Sequence, residues 1–160
     1  MSNRLMKAFF VVLSVLVLAA CSTTSGGSSN HQKQTGRPAW MNEHGEIIDS
    51  SAVEAGYGQE VKGINDWEGE IVGKPAPNSK FTQLKIGMSM KQVTDLIGEP
   101  TDQGAYVTGK AFIPFFFGSD RYRHELAYKG QGRLVFAGES MGTNSHLIWI
   151  IHNANDSGYR

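Results

Sequence analysis

Apolar positions follow a different rule in each successive stretch of this chain. From Ala8 to Ala20 they are almost continuous, and from Ser22 to Gly36 they nearly vanish into Ser, Thr, Gly, Asn and Gln. Between Arg37 and Gly73, Trp40, Ile47, Ile48, Tyr57, Trp67 and Ile71 are scattered among acidic residues, and neither alternation nor helical spacing persists. Lys74-Pro75-Ala76-Pro77 follows as a stiff, extended boundary, because each proline fixes its own φ and biases its predecessor away from helix.

Regular elements are expected after that boundary. Ser79 can cap a short helix over Lys80 to Ile86, with Phe81, Leu84 and Lys85 at helical spacing and Gly87 placed as a left-handed terminator. Ser89 to Gln92 forms a capping box for a second helix, whose Met90, Val93, Leu96 and Ile97 share one face before Gly98 and Pro100 stop it. Beyond Thr101 the pattern becomes short β-rich runs, roughly Ala111–Phe117, Tyr122–Lys129, Arg133–Ala137 and Leu147–His152. The second alternates well: Tyr122, His124, Leu126 and Tyr128 fall on one face, opposite Arg121, Arg123, Glu125 and Lys129. Gly130-Gln131-Gly132 is a hairpin loop. The expected fold class is therefore α+β, with two short helices on an antiparallel sheet of three to four strands, preceded by a tether and an irregular arm.

The apolar start changes the picture from a soluble chain to an exported one. Arg4 and Lys7, the apolar run and the small residues Ala19 and Ala20 before the cut are the three parts of a secretory signal, and the run is too short for a spanning helix, which needs about 20 residues. Because the chain's one cysteine ends this run, the segment reads as a lipoprotein signal over residues 1–20, cut between Ala20 and Cys21, with Cys21 lipidated. Several acyl chains on one residue hold a protein to a bilayer where a single chain binds marginally. Ser22, rather than Asp, after the cysteine predicts passage to the outer membrane, facing the periplasm. Residues 21–36 then form the lipidated start and a flexible tether with a reach of about 20 Å. Residues 37–77 are the acidic arm, either an irregular segment laid on the domain or one that orders on a partner, and residues 78–160 are the α+β domain.

Charge and cysteine usage narrow the function classes. Cationic and anionic residues balance at 15 each, and loss of the signal with Arg4 and Lys7 leaves a slightly acidic chain without the basic footprint of a nucleic-acid binder. With Cys21 lipidated, no thiol remains for a disulfide, a metal site or a nucleophile. No cofactor or metal is expected: His146 and His152, read as sharing a strand face through Ile148 and Ile150, lie about 20 Å apart at strand rise, and no carboxylate–His cluster joins His124. No nucleophile elbow, metalloprotease helix or phosphate-cradling loop occurs, and Gly138-Glu139-Ser140-Met141-Gly142 is a glycine-rich turn. Asp95 and Glu99 flank a helix end, as solvated carboxylates commonly do. The chain is thus read as a non-enzyme.

Phe112-Ile113-Pro114-Phe115-Phe116-Phe117 is the most apolar stretch outside the signal. Pro114 confines it to an edge strand or an irregular segment. Phe112, Phe115, Phe116 and Phe117 are candidate partner contacts if the run is exposed; the alternative is a strand buried on both faces or covered by the arm.

The segment Phe81 to Pro100 carries the pattern L-x-x-G-M-(S/T)-x-x-x-V-x-x-x-(I/L)-G-x-P through Leu84, Gly87, Met88, Ser89, Val93, Ile97, Gly98 and Pro100. In this it resembles the SmpA/OmlA (BamE-like) family of small outer-membrane lipoproteins. The match covers about 20 residues, and the lipoprotein start and following strands agree in layout. The resemblance implies two helices on a three-stranded antiparallel sheet, a layout shared with the repeats of a β-lactamase inhibitor protein. It also implies protein contact in envelope assembly or maintenance, with the β-barrel assembly machine as a partner. Each matched position also builds a helix corner, and the long arm and the insertion Gly104–Gly118 depart from the family's central member, so a paralogue is expected. A periplasmic inhibitor or ligand-binding module on the same fold is the rival expectation.

Overall fold

A computed structural model describes residues 36–112, 114, 120–138 and 144–160. Cys21, Ala20, the signal and the tether up to residue 35 lie outside them, as do Phe115, Phe116, Phe117 and residues 139–143.

Six strands form one mixed sheet: β1 Gln59–Lys62, β2 Glu68–Val72, β3 Asp102–Val107, β4 Tyr122–Tyr128, β5 Gly132–Gly138 and β6 His146–His152. Their order is β1-β2-β6-β5-β4-β3, antiparallel throughout except where β2 runs parallel to β6 through Glu70–Trp149, Ile71–Ile150 and Val72–Ile151. Among the described residues one α-helix, α1 (Met90–Ile97), accompanies it. The expectation of two helices on three or four strands is therefore wrong on three counts.

The first expected helix is a single 3₁₀ turn, Lys80–Gln83. Ser79 does cap it, Phe81 N donating to Ser79 Oγ at 3.2 Å, but Leu84 is extended and the chain leaves the turn. Better partners await the next backbone groups: Ile64 N donates to Ile86 O at 2.9 Å and Gly87 N to Leu147 O at 2.8 Å. A two-turn helix repays its nucleation with few hydrogen bonds, so sheet-like pairing wins.

The irregular arm supplies two of the strands. Its glycines were read as breaks, yet Gly58, Gly63, Gly69 and Gly73 mark close approaches between elements. A Cβ on Gly69 would collide with Ile148 O and Ile86, and one on Gly63 with Ile86 O. The third error concerns Ala111–Phe117, whose described start is a 3₁₀ turn, Gly109–Phe112. The strand preceding β4 is instead β3, which runs into the start of what was read as the insertion Gly104–Gly118.

Where local signals are strong, element and expectation agree. Ser89 Oγ accepts from Gln92 N at 3.3 Å while Gln92 Oε1 accepts from Ser89 N at 2.8 Å, closing the capping box of α1. Lys91 pairs with Asp95 at 2.5 Å one turn on, and Gly98, at φ 95°, ends the helix. The helix lays Val93 and Ile97 on a core with Phe81, Leu126, Leu134 and Phe136. Tyr128 closes this layer, its ring edge-on to Phe81 at 5.4 Å and its hydroxyl donating to Gly98 O at 3.0 Å. Burial, with the charge of Glu99 adding, pushes that hydroxyl's pKa up to about 12.

The opposite sheet face carries a second cluster. Residues from the arm cover it, Trp40 and Ile47 packing on Val72, Val135 and Ile151, with Tyr57 edge-on to Trp40 at 5.3 Å. The sheet is thus a middle layer between α1 and the arm.

Candidate interaction surface

The candidate contact run begins where β3 ends. Thr108 N donates to Arg121 O at 2.9 Å and Thr108 Oγ1 to Asp120 O at 2.6 Å, which brings the two ends of the intervening loop together. Asp120 then locks this neck. Arg123 grips its carboxylate through Nε at 2.9 Å and Nη2 at 3.2 Å, and Lys110 reaches it at 2.6 Å. Burial pushes the Asp120 carboxyl up, but the hydrogen bonds from Arg123 and Lys110 outweigh it and hold the group below its usual range.

Above this neck Phe112 is 80 % exposed, and Val107 and Tyr106 at the end of β3 are 45 % and 40 % exposed. Pro114 is exposed as well. The alternatives of a buried strand or cover by the arm therefore fail for Phe112, the candidate contact that the structure describes. Tyr106 and Val107 were missed, because a strand was expected after Gly109 rather than before it; the alternation Gln103, Ala105, Val107 was the available signal. Beside them, Gln103, Ala105, His124 and Leu126 line an open cleft on the helix side of the sheet.

The other face carries two polar networks. Glu70, 7 % exposed, accepts from Gly56 N at 2.9 Å, from Gly58 N and from Trp149 Nε1 at 2.9 Å, tying the arm to β2 and β6. Arg123 lies over the Trp149 ring at 5.8 Å. Arg133 bonds Glu125 at 2.7 Å, Asp156 at 3.2 Å and Tyr159 O at 2.9 Å, pulling residues 153–160 across the sheet.

The histidines do not converge. A β-bulge between Val135 and Phe136 shifts the register of β6, so Ile148 packs on the arm's cluster and Ile150 on the helix's, and the expected shared face does not exist. His146 stacks on Trp67 with ring centroids 4.5 Å apart, whereas His152 is buried beside Phe81. Burial depresses the His152 pKa. Among the described residues no group of three His, Cys, Asp or Glu could hold a metal ion, and no helix is long and apolar enough to cross a membrane. Asp95, one of the carboxylates at the helix end, is engaged with Lys91.

Comparison with protein-family models, curated proteins and solved structures returns no match, so a functional reading rests on this surface and on the sequence motifs.

Proposed function

We propose that this chain is an outer-membrane lipoprotein, anchored through Cys21 and facing the periplasm, that acts by protein contact in envelope or outer-membrane protein assembly or maintenance. The observation that carries the contact reading is the 80 % exposure of Phe112, beside exposed Val107 and Tyr106, on a loop held shut at its neck by Asp120. Large apolar groups presented on a braced support favour a contact surface. The anchor reading is supported by Leu18-Ala19-Ala20-Cys21 at the end of the apolar run. The envelope context is supported by the likeness of Leu84 to Pro100 to SmpA/OmlA lipoproteins, as a paralogue, which makes the β-barrel assembly machine the first partner to test.

A photocrosslinking residue at Phe112 in cells tests the reading. Adducts with an envelope assembly protein, lost when Cys21→Ser releases the chain from the membrane, are the expected result. Adducts with a soluble periplasmic hydrolase would favour the inhibitor reading, which the open cleft over Gln103, Ala105 and His124 also suits. A membrane fraction free of the protein would defeat the anchored reading.

A further inference from the structure

The two ends of the sheet are guarded differently. β1 is four residues long and carries Glu60 and Lys62, charges with which natural sheets discourage a further strand. β3 lacks these devices. Its six residues pair with β4 in unbroken register, without bulge or proline, and Asp102 is its one charged side chain. That charge is met within the chain, since Asp102 Oδ2 accepts from Arg160 N at 3.1 Å and faces Arg160 Nε at 3.6 Å.

The backbone of this edge is presented in a definite pattern. Thr108 N donates to Arg121 O, so by the alternation of an antiparallel pair Gly104 and Tyr106 turn their polar groups toward β4. Gln103, Ala105 and Val107 turn theirs outward; Gln103 N donates to Asp102 Oδ1 at 2.8 Å, and among the described residues no strand takes the others.

The side chains of the edge match the same edge turned around. Two β3 strands running antiparallel about a two-fold axis at Ala105 set Gln103 against Val107, Gly104 against Tyr106 and Ala105 against itself. Each outward-facing residue then meets another, so the hydrogen-bonding groups fall in register. Tyr106, 40 % exposed, then stands opposite Gly104 of the other copy. Arg160 completes the match: its guanidinium lies over Gly104, where a Cβ would otherwise sit. The ring of one copy thus meets the flat cation that covers the glycine of the other.

We propose that β3 is a self-complementary edge through which two copies of this chain join into one continuous sheet. A second copy is the favoured occupant because Tyr106, Gly104 and Arg160 fit one another in this single register, and because the pairing brings together no uncompensated like charges. The interface is isologous, as two-fold pairing requires. Six residues from each copy make a small interface beside the roughly 1,200 Å² at which stable complexes begin, so the association is expected to be reversible.

Sedimentation velocity of the full chain carrying Cys21→Ser, from about 5 to 500 μM, tests this. A shift from monomer to dimer across that range is expected. Ala105→Pro removes an outward donor while leaving the β4 pairing intact, and is expected to leave a folded monomer at all concentrations. Tyr106→Ser is expected to weaken dimerisation at least tenfold with an unchanged circular dichroism spectrum, and decides the matter should Ala105→Pro fail to fold. A monomer at every concentration, or a dimer that survives Tyr106→Ser at undiminished affinity, overturns the proposal; so does pairing of this edge with a strand of another protein alone.

Discussion

Glu70→Gln is a change of one atom that separates packing from polar satisfaction. The carboxylate receives three donors: Gly56 N at 2.9 Å and Trp149 Nε1 at 2.9 Å on one oxygen, and Gly58 N on the other. An amide offers one acceptor oxygen and turns an NH₂ group toward whatever faces its other arm. Set toward Gly58, the oxygen leaves the Trp149 indole facing a donor; set toward Trp149, it leaves the Gly58 amide facing one. At least one buried donor is orphaned in either orientation, at about 1–3 kcal/mol, and donor–donor opposition raises the total to roughly 2–4 kcal/mol. Volume is unchanged, so no cavity contributes. For a domain of this size the loss lowers the melting temperature by about 10–15 °C. Urea unfolding followed by tryptophan fluorescence measures it, and hydrogen exchange at Gly56 and Gly58 shows whether the arm opens before the sheet. A loss under about 0.5 kcal/mol, with exchange at both amides unchanged, would refute the view that Glu70 holds the arm.

Two further outcomes follow from buried ionisable groups. Burial depresses the folded-state pKa of His152, so near the ordinary value of about 6.5 the unfolded chain binds more protons than the native one, and stability rises with pH. That contribution is whole above about 6.5 and is lost as pH falls toward the folded value; melting temperatures at pH 5 and 7.5 should differ less in His152→Leu than in the parent, and an unaltered slope would count against it. Arg133→Met strands Glu125 and the Asp156 carboxylate, 2 % exposed, for about 3–5 kcal/mol, and adding Asp156→Asn should restore part of it in a double-mutant cycle of urea midpoints.

What could be read from the chain in advance was what short-range physics fixes. The capping box of Ser89 and Gln92, the stop at Gly98 and the alternation from Tyr122 to Tyr128 each act within a few residues, and each is present as expected. The elements that were misread depend on distant partners. β2 pairs in parallel with β6 across most of the domain, and no local pattern announces a partner that far along the chain. Ile86 and Gly87 leave helix geometry because Ile64 and Leu147 offer them hydrogen bonds, again from far away in sequence. The candidate site divided along the same line. Phe112 lay in a run legible as apolar but open between an exposed contact and a buried strand, whereas Tyr106 and Val107 become surface features only once β3 is known to be an edge.

The glycines show why the arm misled and what it does. A glycine in a polar segment signals a break if its backbone faces water, and a close approach if another backbone lies against it. Sequence cannot tell these apart. At Gly63 and Gly69 the neighbour is Ile86 or Ile148, so each marks a place where the arm runs hard against Ile86 or the backbone of β6. At Gly104 it is Arg160. The same arm and the segment 153–160 therefore close the second face of the sheet with charged and hydrogen-bonded locks at Glu70 and Arg133. With one face under α1 and much of the other under the arm, Tyr106, Val107 and Phe112 at the β3 corner stay exposed, and the proposed contact reading rests on that exposure.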